Sequence, residues 1–145
     1  MAQQHTTLDI DQLRLAIKDE YAEVAACPTK GFHFHTGRYL ADRLGYPADK
    51  VNALPDAAVE SFAGVGNPFS WGDLHPGETV LDLGSGAGFD TFLAANMVGA
   101  SGHVMGVDMS PEMLAKATNT AASLGLQHVA FCDGYLEALP VADAT

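Results

Sequence analysis

Residues 82 to 88 read Asp-Leu-Gly-Ser-Gly-Ala-Gly, a run that follows a short apolar segment and precedes a helical pattern. Glycines in that place let the backbone turn sharply and approach a ligand, and the helix start behind them offers free N–H groups and a positive dipole end. The spacing narrows the ligand. A dinucleotide fingerprint reads G-x-G-x-x-G and aims a helix N-terminus at a pyrophosphate. Here Gly84, Gly86 and Gly88 fall as G-x-G-x-G, with Asp82 two residues before the first. A carboxylate there repels a pyrophosphate and suits an ammonium group, such as that of a methionine-like moiety. A second acid, Asp108, stands 24 residues after Gly84, where it can accept hydrogen bonds from both hydroxyls of a ribose. Asp108 could alternatively cap the turn into a helix beginning at Ser110.

The elements that must hold these groups follow from periodicity. Thr79–Leu83, His103–Val107 and His128–Cys132 are short apolar runs of the kind that make buried parallel strands. Between them lie two helical patterns, one showing Phe89, Phe92, Leu93 and Met97 on a face. The other shows Met113, Leu114, Ala117, Ala121 and Leu124, with Ser110 as N-cap, Pro111 at the first helical position and Gly125 as C-cap. The order β-α-β-α-β, with right-handed crossovers, gives three adjacent parallel strands in the order 3-2-1, one mononucleotide-binding half. Ahead of it, residues 10 to 24 predict a helix burying Ile10, Leu13, Ile17, Tyr21 and Val24, with Asp9 as N-cap. Two further helices are expected over Thr36–Leu44, burying Tyr39, Leu40 and Leu44, and over Pro55–Ala63. The fold expected is α/β: a helical N-terminal cap over residues 1–76, then a ligand-binding Rossmann-like half domain over 77–145.

Composition agrees with a globular fold, at 48% apolar and 17% charged residues without repeats. The net charge of −11 is unevenly spread. Residues 1–50 hold six basic and seven acidic side chains, whereas 51–145 hold eleven acidic ones against Lys116 alone. That stretch lacks the clustered cations that nucleic acid or an anionic membrane requires, so a small or cationic ligand fits better. Two cysteines, Cys27 and Cys132, and no secretory pattern lead us to expect a reducing, cytoplasmic compartment, and no apolar run is long enough to span a bilayer.

The segments VLDLGSGAGFD (80–90), VMGVDMSPEMLAKA (104–117) and ALP (138–140) resemble class I S-adenosylmethionine-dependent methyltransferases, and within them the arsenite methyltransferase group. The resemblance implies that S-adenosylmethionine is the cofactor. It implies that Asp82, Gly84, Ser85, Gly86 and Gly88 serve the methionine part, that Asp108 holds the ribose and that Met109 packs against the adenine. Gly134, Tyr135 and Leu136 take the adenine-binding stretch, where many such enzymes have an acid at the position of Tyr135, and Asp133 lies two residues earlier. Tyr21 resembles a tyrosine placed near the cofactor, though its spacing fits a core residue equally. The loop Phe32-His33-Phe34-His35, with Arg38, is expected over the cofactor on the substrate side. Its two histidines lack a third ligand, so no metal is expected.

Bound trivalent arsenic needs thiolates. The family's Gly-Cys-Gly-Asn-Pro segment reads Gly64-Val-Gly-Asn-Pro68 here, so Val65 replaces the sulfur, and Cys132 is expected to point from its strand into the core. The motifs leave the methyl acceptor open beyond a small nucleophile and offer no evident general base. Val141–Thr145 stands where a fourth strand should begin, and the resemblance implies a longer sheet. A chain ending there would leave strand 1 an unpaired edge, which leads us to expect a homo-oligomer. The alternatives are a non-catalytic S-adenosylmethionine-binding module and, disfavoured by Asp82, a dinucleotide-dependent oxidoreductase.

Overall fold

The computed structural model describes residues 9–143, so the first eight residues of the cap and the last two of the expected fourth strand lie outside the described residues. Helix α1 spans Ile10–Ala26, and Asp9 caps it by accepting from the amides of Asp11 and Gln12 at 3.1 and 3.2 Å. Of the face expected to be buried, only Val24 is; Ile10 and Leu13 are 58% and 42% exposed. The apolar stripe is real but faces a cavity instead of a packed core.

Three short helices follow: α2 (Gly37–Arg43), α3 (Ala48–Asn52) and α4 (Asp56–Val59). Helix α3 shows too little periodicity to be foreseen, since Val51 alone is buried in it. Helix α4 is shorter than expected because the chain turns at Phe62, whose amide donates to the carbonyl of Val59 at 2.9 Å. Tyr39 is exposed, against expectation: its ring lies against His35 and its hydroxyl accepts from Arg43. Arg38 also departs from its expected place near the ligand. Its guanidinium donates to the carbonyls of Val51 and Leu54 and to Asn52 and Asp56, tying α2 to the α3–α4 connection.

Strands β1 (Thr79–Leu83), β2 (His103–Asp108) and β3 (Val129–Asp133) form a parallel sheet in the order β1-β2-β3, as expected, joined by α5 (Phe89–Val98) and α6 (Pro111–Ser123). Ser110 N-caps α6 through the amide of Met113 at 3.3 Å, with Pro111 in the first turn. Val80, Val104, Val129 and Phe131 pack toward the helices. Strand alternation therefore turns Leu81, Leu83, Met105, Val107 and Cys132 to the opposite face. There Leu81 and Leu83 are 39% and 47% exposed. Cys132 is half-buried on that face, not in the core under the helices.

The core runs through both parts of the chain. Tyr46, Val51, Leu54, Val59 and Phe62 from the helical segment join Phe89, Phe92 and Leu93 of α5 in one cluster, with Phe62 and Phe89 ring centroids 4.1 Å apart. Helix α5 is consequently buried on nearly all sides. Lys116 adds a polar tie between the parts. Its ammonium, on a side chain 17% exposed, donates to Glu60 at 2.6 Å, to Ser61 at 2.8 Å and to the carbonyl of Ala25 at 3.2 Å. Among the described residues no helix is long and apolar enough to cross a membrane.

One glycine shows how tightly the loop after β1 is packed. Gly88 has φ +92°, and a Cβ there would lie 2.7 Å from Phe92 and 3.0 Å from Phe131. Gly88→Ala is expected to cost more than about 1 kcal/mol, from left-handed strain and from crowding a core ring, read as a lowered urea midpoint.

Candidate functional site

The glycine loop is shaped by the end of β2. The amides of Gly84 and Ser85 both donate to the carbonyl of Val107, at 2.8 and 3.0 Å, and the amide of Gly86 donates to the Asp108 carboxylate at 2.8 Å. The other oxygen of that carboxylate accepts from the amide of Ser110 at 2.8 Å, so Asp108 anchors the loop and the α6 turn together. Gly84 and Gly86 hold φ +75° and +53°, and a Cβ on either would meet nothing within 4 Å. The loop thus presents bare backbone to open space, as a ligand cradle requires. Ser85 packs on Gly106, is 8% exposed, and its buried hydroxyl has no hydrogen-bond partner in the protein.

Over this loop lies a cavity of about 480 Å³, within the ~300–1,000 Å³ of small-molecule sites. Its floor is Gly84–Ala87, one wall is Val107–Ser110 with Met113, and the other is Gly134–Glu137. Helix α1 roofs it with Ile10, Leu13, Ile17 and Tyr21. At the mouth, Arg14 pairs with Glu137 and its guanidinium lies 4.5 Å above the Tyr135 ring, while Lys18 donates to the Tyr135 hydroxyl at 3.1 Å. The far end of α1 is pinned by the Ser61 hydroxyl, which donates to the carbonyl of Val24 at 3.1 Å.

Three acids serve the floor. Asp82 accepts from the Thr91 hydroxyl at 2.6 Å, and its acidity is weakened by burial despite that bond, with Asp108 nearby adding to the effect. Asp90, in the first turn of α5, lines the cavity and meets the Tyr46 hydroxyl at 2.7 Å. Burial pushes the Asp90 carboxyl up to about 7; the Tyr46 contact opposes this and Asp82 reinforces it. Tyr46 is itself pushed well above a normal phenol, first by burial and then by Asp90.

The cavity thus gathers Gly84, Ser85, Gly86, Asp108, Met109, Gly134, Tyr135, Leu136 and Tyr21. Asp82 and Gly88 stand behind its wall, the first on Thr91 and the second on Phe92. Sequence reasoning missed Asp90, because an acid in a first helical turn has a ready explanation in the helix dipole. It also missed Arg14 and Lys18, which share a helix side with the apolar stripe. The aromatic loop does not line the cavity: Phe32 and Phe34 pack on the cluster of Val24, Ala87 and Met113 behind it. Among the described residues no group of three or more His, Cys, Asp or Glu gathers as for a metal ion.

The shift on Asp90 makes a stability statement. A carboxyl raised from 3.8 to about 7 holds its proton more tightly when folded, so its contribution is complete below pH 4 and lost as pH climbs toward 7. Asp90→Asn is therefore expected to match the parent chain at pH 4 and to exceed it at pH 8 by ~2–4 kcal/mol in chemical denaturation.

Residues 74–145 match the model of a methyltransferase domain. The chain is 53% identical over 103 residues to the arsenite methyltransferase of Halobacterium salinarum, covering 71% of this chain and 26% of that protein. It is 49% identical over 70 residues to the arsenite methyltransferase of Aquipseudomonas alcaligenes, covering 46% and 20%. The crystal structure of an arsenic(III) S-adenosylmethionine methyltransferase from Chlamydomonas reinhardtii superposes with a TM-score of 0.54 at 35% identity, over 63% of this chain and 33% of that one. The chain thus spans about a quarter or less of the length of the two curated relatives. On its fold, its glycine loop and these matches, the chain belongs to the class I S-adenosylmethionine-dependent methyltransferases.

Proposed function

We propose that the cavity above Gly84–Ala87 binds S-adenosylmethionine and serves methyl transfer to a small-molecule nucleophile. The observation that carries the reading is the Asp108 carboxylate, which fixes the loop through the amide of Gly86 while lining the cavity where a ribose would lie. The donor set fits the cofactor. Gly84 and Gly86 leave room for the methionine part, the partnerless Ser85 hydroxyl supplies a spare hydrogen bond, and Asp90 and Asp108 face a cationic ligand. Met109, Leu136 and the Tyr135 ring offer apolar surface for an adenine.

When bound, the cofactor supplies a methyl group on a positively charged sulfur. The chain contributes position: a fixed loop, an apolar roof of Leu13, Ile17 and Tyr21, and acids that balance charge. An acceptor rich in phosphates is disfavoured by the acidic surplus of residues 51–145. Arsenite, the substrate named for the relatives, gains no thiolate from the cavity wall among the described residues. Cys27 is exposed, Cys132 lies on the open sheet face, and Val65 stands fully exposed where the family motif has a cysteine. A neutral or cationic small nucleophile is the reading we favour.

Titration calorimetry with S-adenosylmethionine, its demethylated product and NAD tests the site. The first two are expected to bind and NAD is not. Asp108→Ala is expected to weaken binding at least tenfold, equivalent to about 1.4 kcal/mol, by freeing the loop and removing the ribose acceptor. Binding of NAD alone would contradict the proposal.

A further inference from the structure

The Tyr46 hydroxyl sits between two oxygens and has one proton to give. It lies 3.0 Å from the carbonyl of Gly66 and 2.7 Å from an Asp90 carboxylate oxygen. The phenol has one proton for two acceptors: given to Asp90 it leaves the Gly66 carbonyl facing an oxygen lone pair, and both contacts are hydrogen bonds together only when Asp90 carries a proton of its own. With an ionised Asp90, one of the two short contacts would set lone pairs against each other, a costly arrangement in a half-buried place. The hydrogen-bond chain from Asp90 through Tyr46 to Gly66 is therefore complete only when Asp90 is a neutral acid.

The surroundings agree. From β1, Asp82 faces Asp90 with a like charge, itself held on Thr91 of α5 and influenced by Asp108 of β2. From α1, Arg14 and Lys18 line the same cavity but are engaged with Glu137 and Tyr135. No cation contributes to the balance at Asp90, and burial favours its neutral form. Yet Asp90 lines the cavity, and so does Ser85, nine-tenths buried with a hydroxyl that has no partner. An acid kept neutral only for want of a cation, in a cavity that also holds a partnerless hydroxyl, suits a charged ligand.

We propose that Asp90 is the specificity-determining reader of the ligand's ammonium group, neutral while bonded to Tyr46 and ionised when that cation is seated, with its proton passing to solvent. The inference rests on the proposal that the cavity binds S-adenosylmethionine, and it shifts the ammonium-reading role from Asp82, behind the wall, to Asp90. Because Gly66 and Tyr46 lie in the helical segment, loss of the Asp90 proton also alters the contact between that segment and α5.

The test uses S-adenosylhomocysteine, which keeps the amine and cannot donate a methyl group. Calorimetry in two buffers of different ionisation heat counts protons exchanged, and carbon-13 NMR of the Asp90 carboxyl follows its titration with and without ligand. The expected result is release of about one proton per ligand at pH 6 and almost none at pH 8. Affinity should rise about tenfold between those pH values, as Asp90 titrates near 7. Asp90→Asn keeps a donor to Tyr46 and so preserves the fold, and it is expected to abolish both the proton release and the pH dependence. Ligand binding at pH 6 without proton release, or an Asp90 carboxyl already ionised at pH 6 in the ligand-free protein, overturns the inference while leaving the binding site intact. No binding of S-adenosylmethionine or S-adenosylhomocysteine overturns both proposals.

Discussion

Two neighbouring amides, those of Gly84 and Ser85, share the carbonyl of Val107, and the rest of the site depends on that shared acceptor. It folds the chain leaving β1 across the end of β2, where the Asp108 carboxylate takes the next amide, Gly86. The same carboxylate receives Ser110, so the loop and the start of α6 cannot move independently. Close approach of these elements is possible because Gly106 lies beneath: a Cβ there would stand 2.6 Å from Phe131 and 2.8 Å from Ser85. Parallel pairing of β1 with β2 thereby becomes a fixed cradle of bare backbone. The chemistry follows from hydrogen bonds made by the backbone before any ligand arrives.

Helix α1 represents the opposite economy. Its apolar residues Ile10 and Leu13 remain exposed beside the cavity, so their surface is still in contact with water. Its polar contacts at the mouth, from Arg14 and Lys18 to Glu137 and Tyr135, lie at the surface, where screening leaves them weak. The firm attachment is at the other end, where Val24 is fully buried and Ser61 and Lys116 bond the carbonyls of Val24 and Ala25. A helix held at its C-terminal end and apolar over an open cavity gains most when a ligand supplies the missing contacts.

Much of this was legible in the sequence. The three strands, their order, helices α5 and α6 and the Ser110 cap follow from local patterns that tertiary structure left unchanged. The glycine loop and Asp108 were also visible as spacing, whereas Gly134–Leu136 came from the resemblance to class I methyltransferases. What escaped depends on contacts between distant segments. The stripe of Ile10, Leu13 and Ile17 looks the same whether it meets a core or a cavity. Tyr46 and Asp90 are 44 positions apart, and only the packed cluster of Phe62 and Phe89 brings them together. Arg38, grouped with the aromatic loop by proximity in sequence, instead serves four acceptors around α3 and α4. Cys132 was misplaced because alternation along β3 gives two faces and sequence alone does not say which the helices cover.

The proposed ligand, S-adenosylmethionine, would lie on the glycine loop and reach the Gly134–Leu136 wall beneath α1. Hydrogen exchange of the full chain with and without saturating S-adenosylmethionine reads all three regions at once. Slowed exchange is expected at residues 84–87, at 134–136 and along the N-terminal turns of α1, with β3 and the far end of α5 unchanged. Protection confined to segments away from the loop, or none despite measured binding, would contradict this placement.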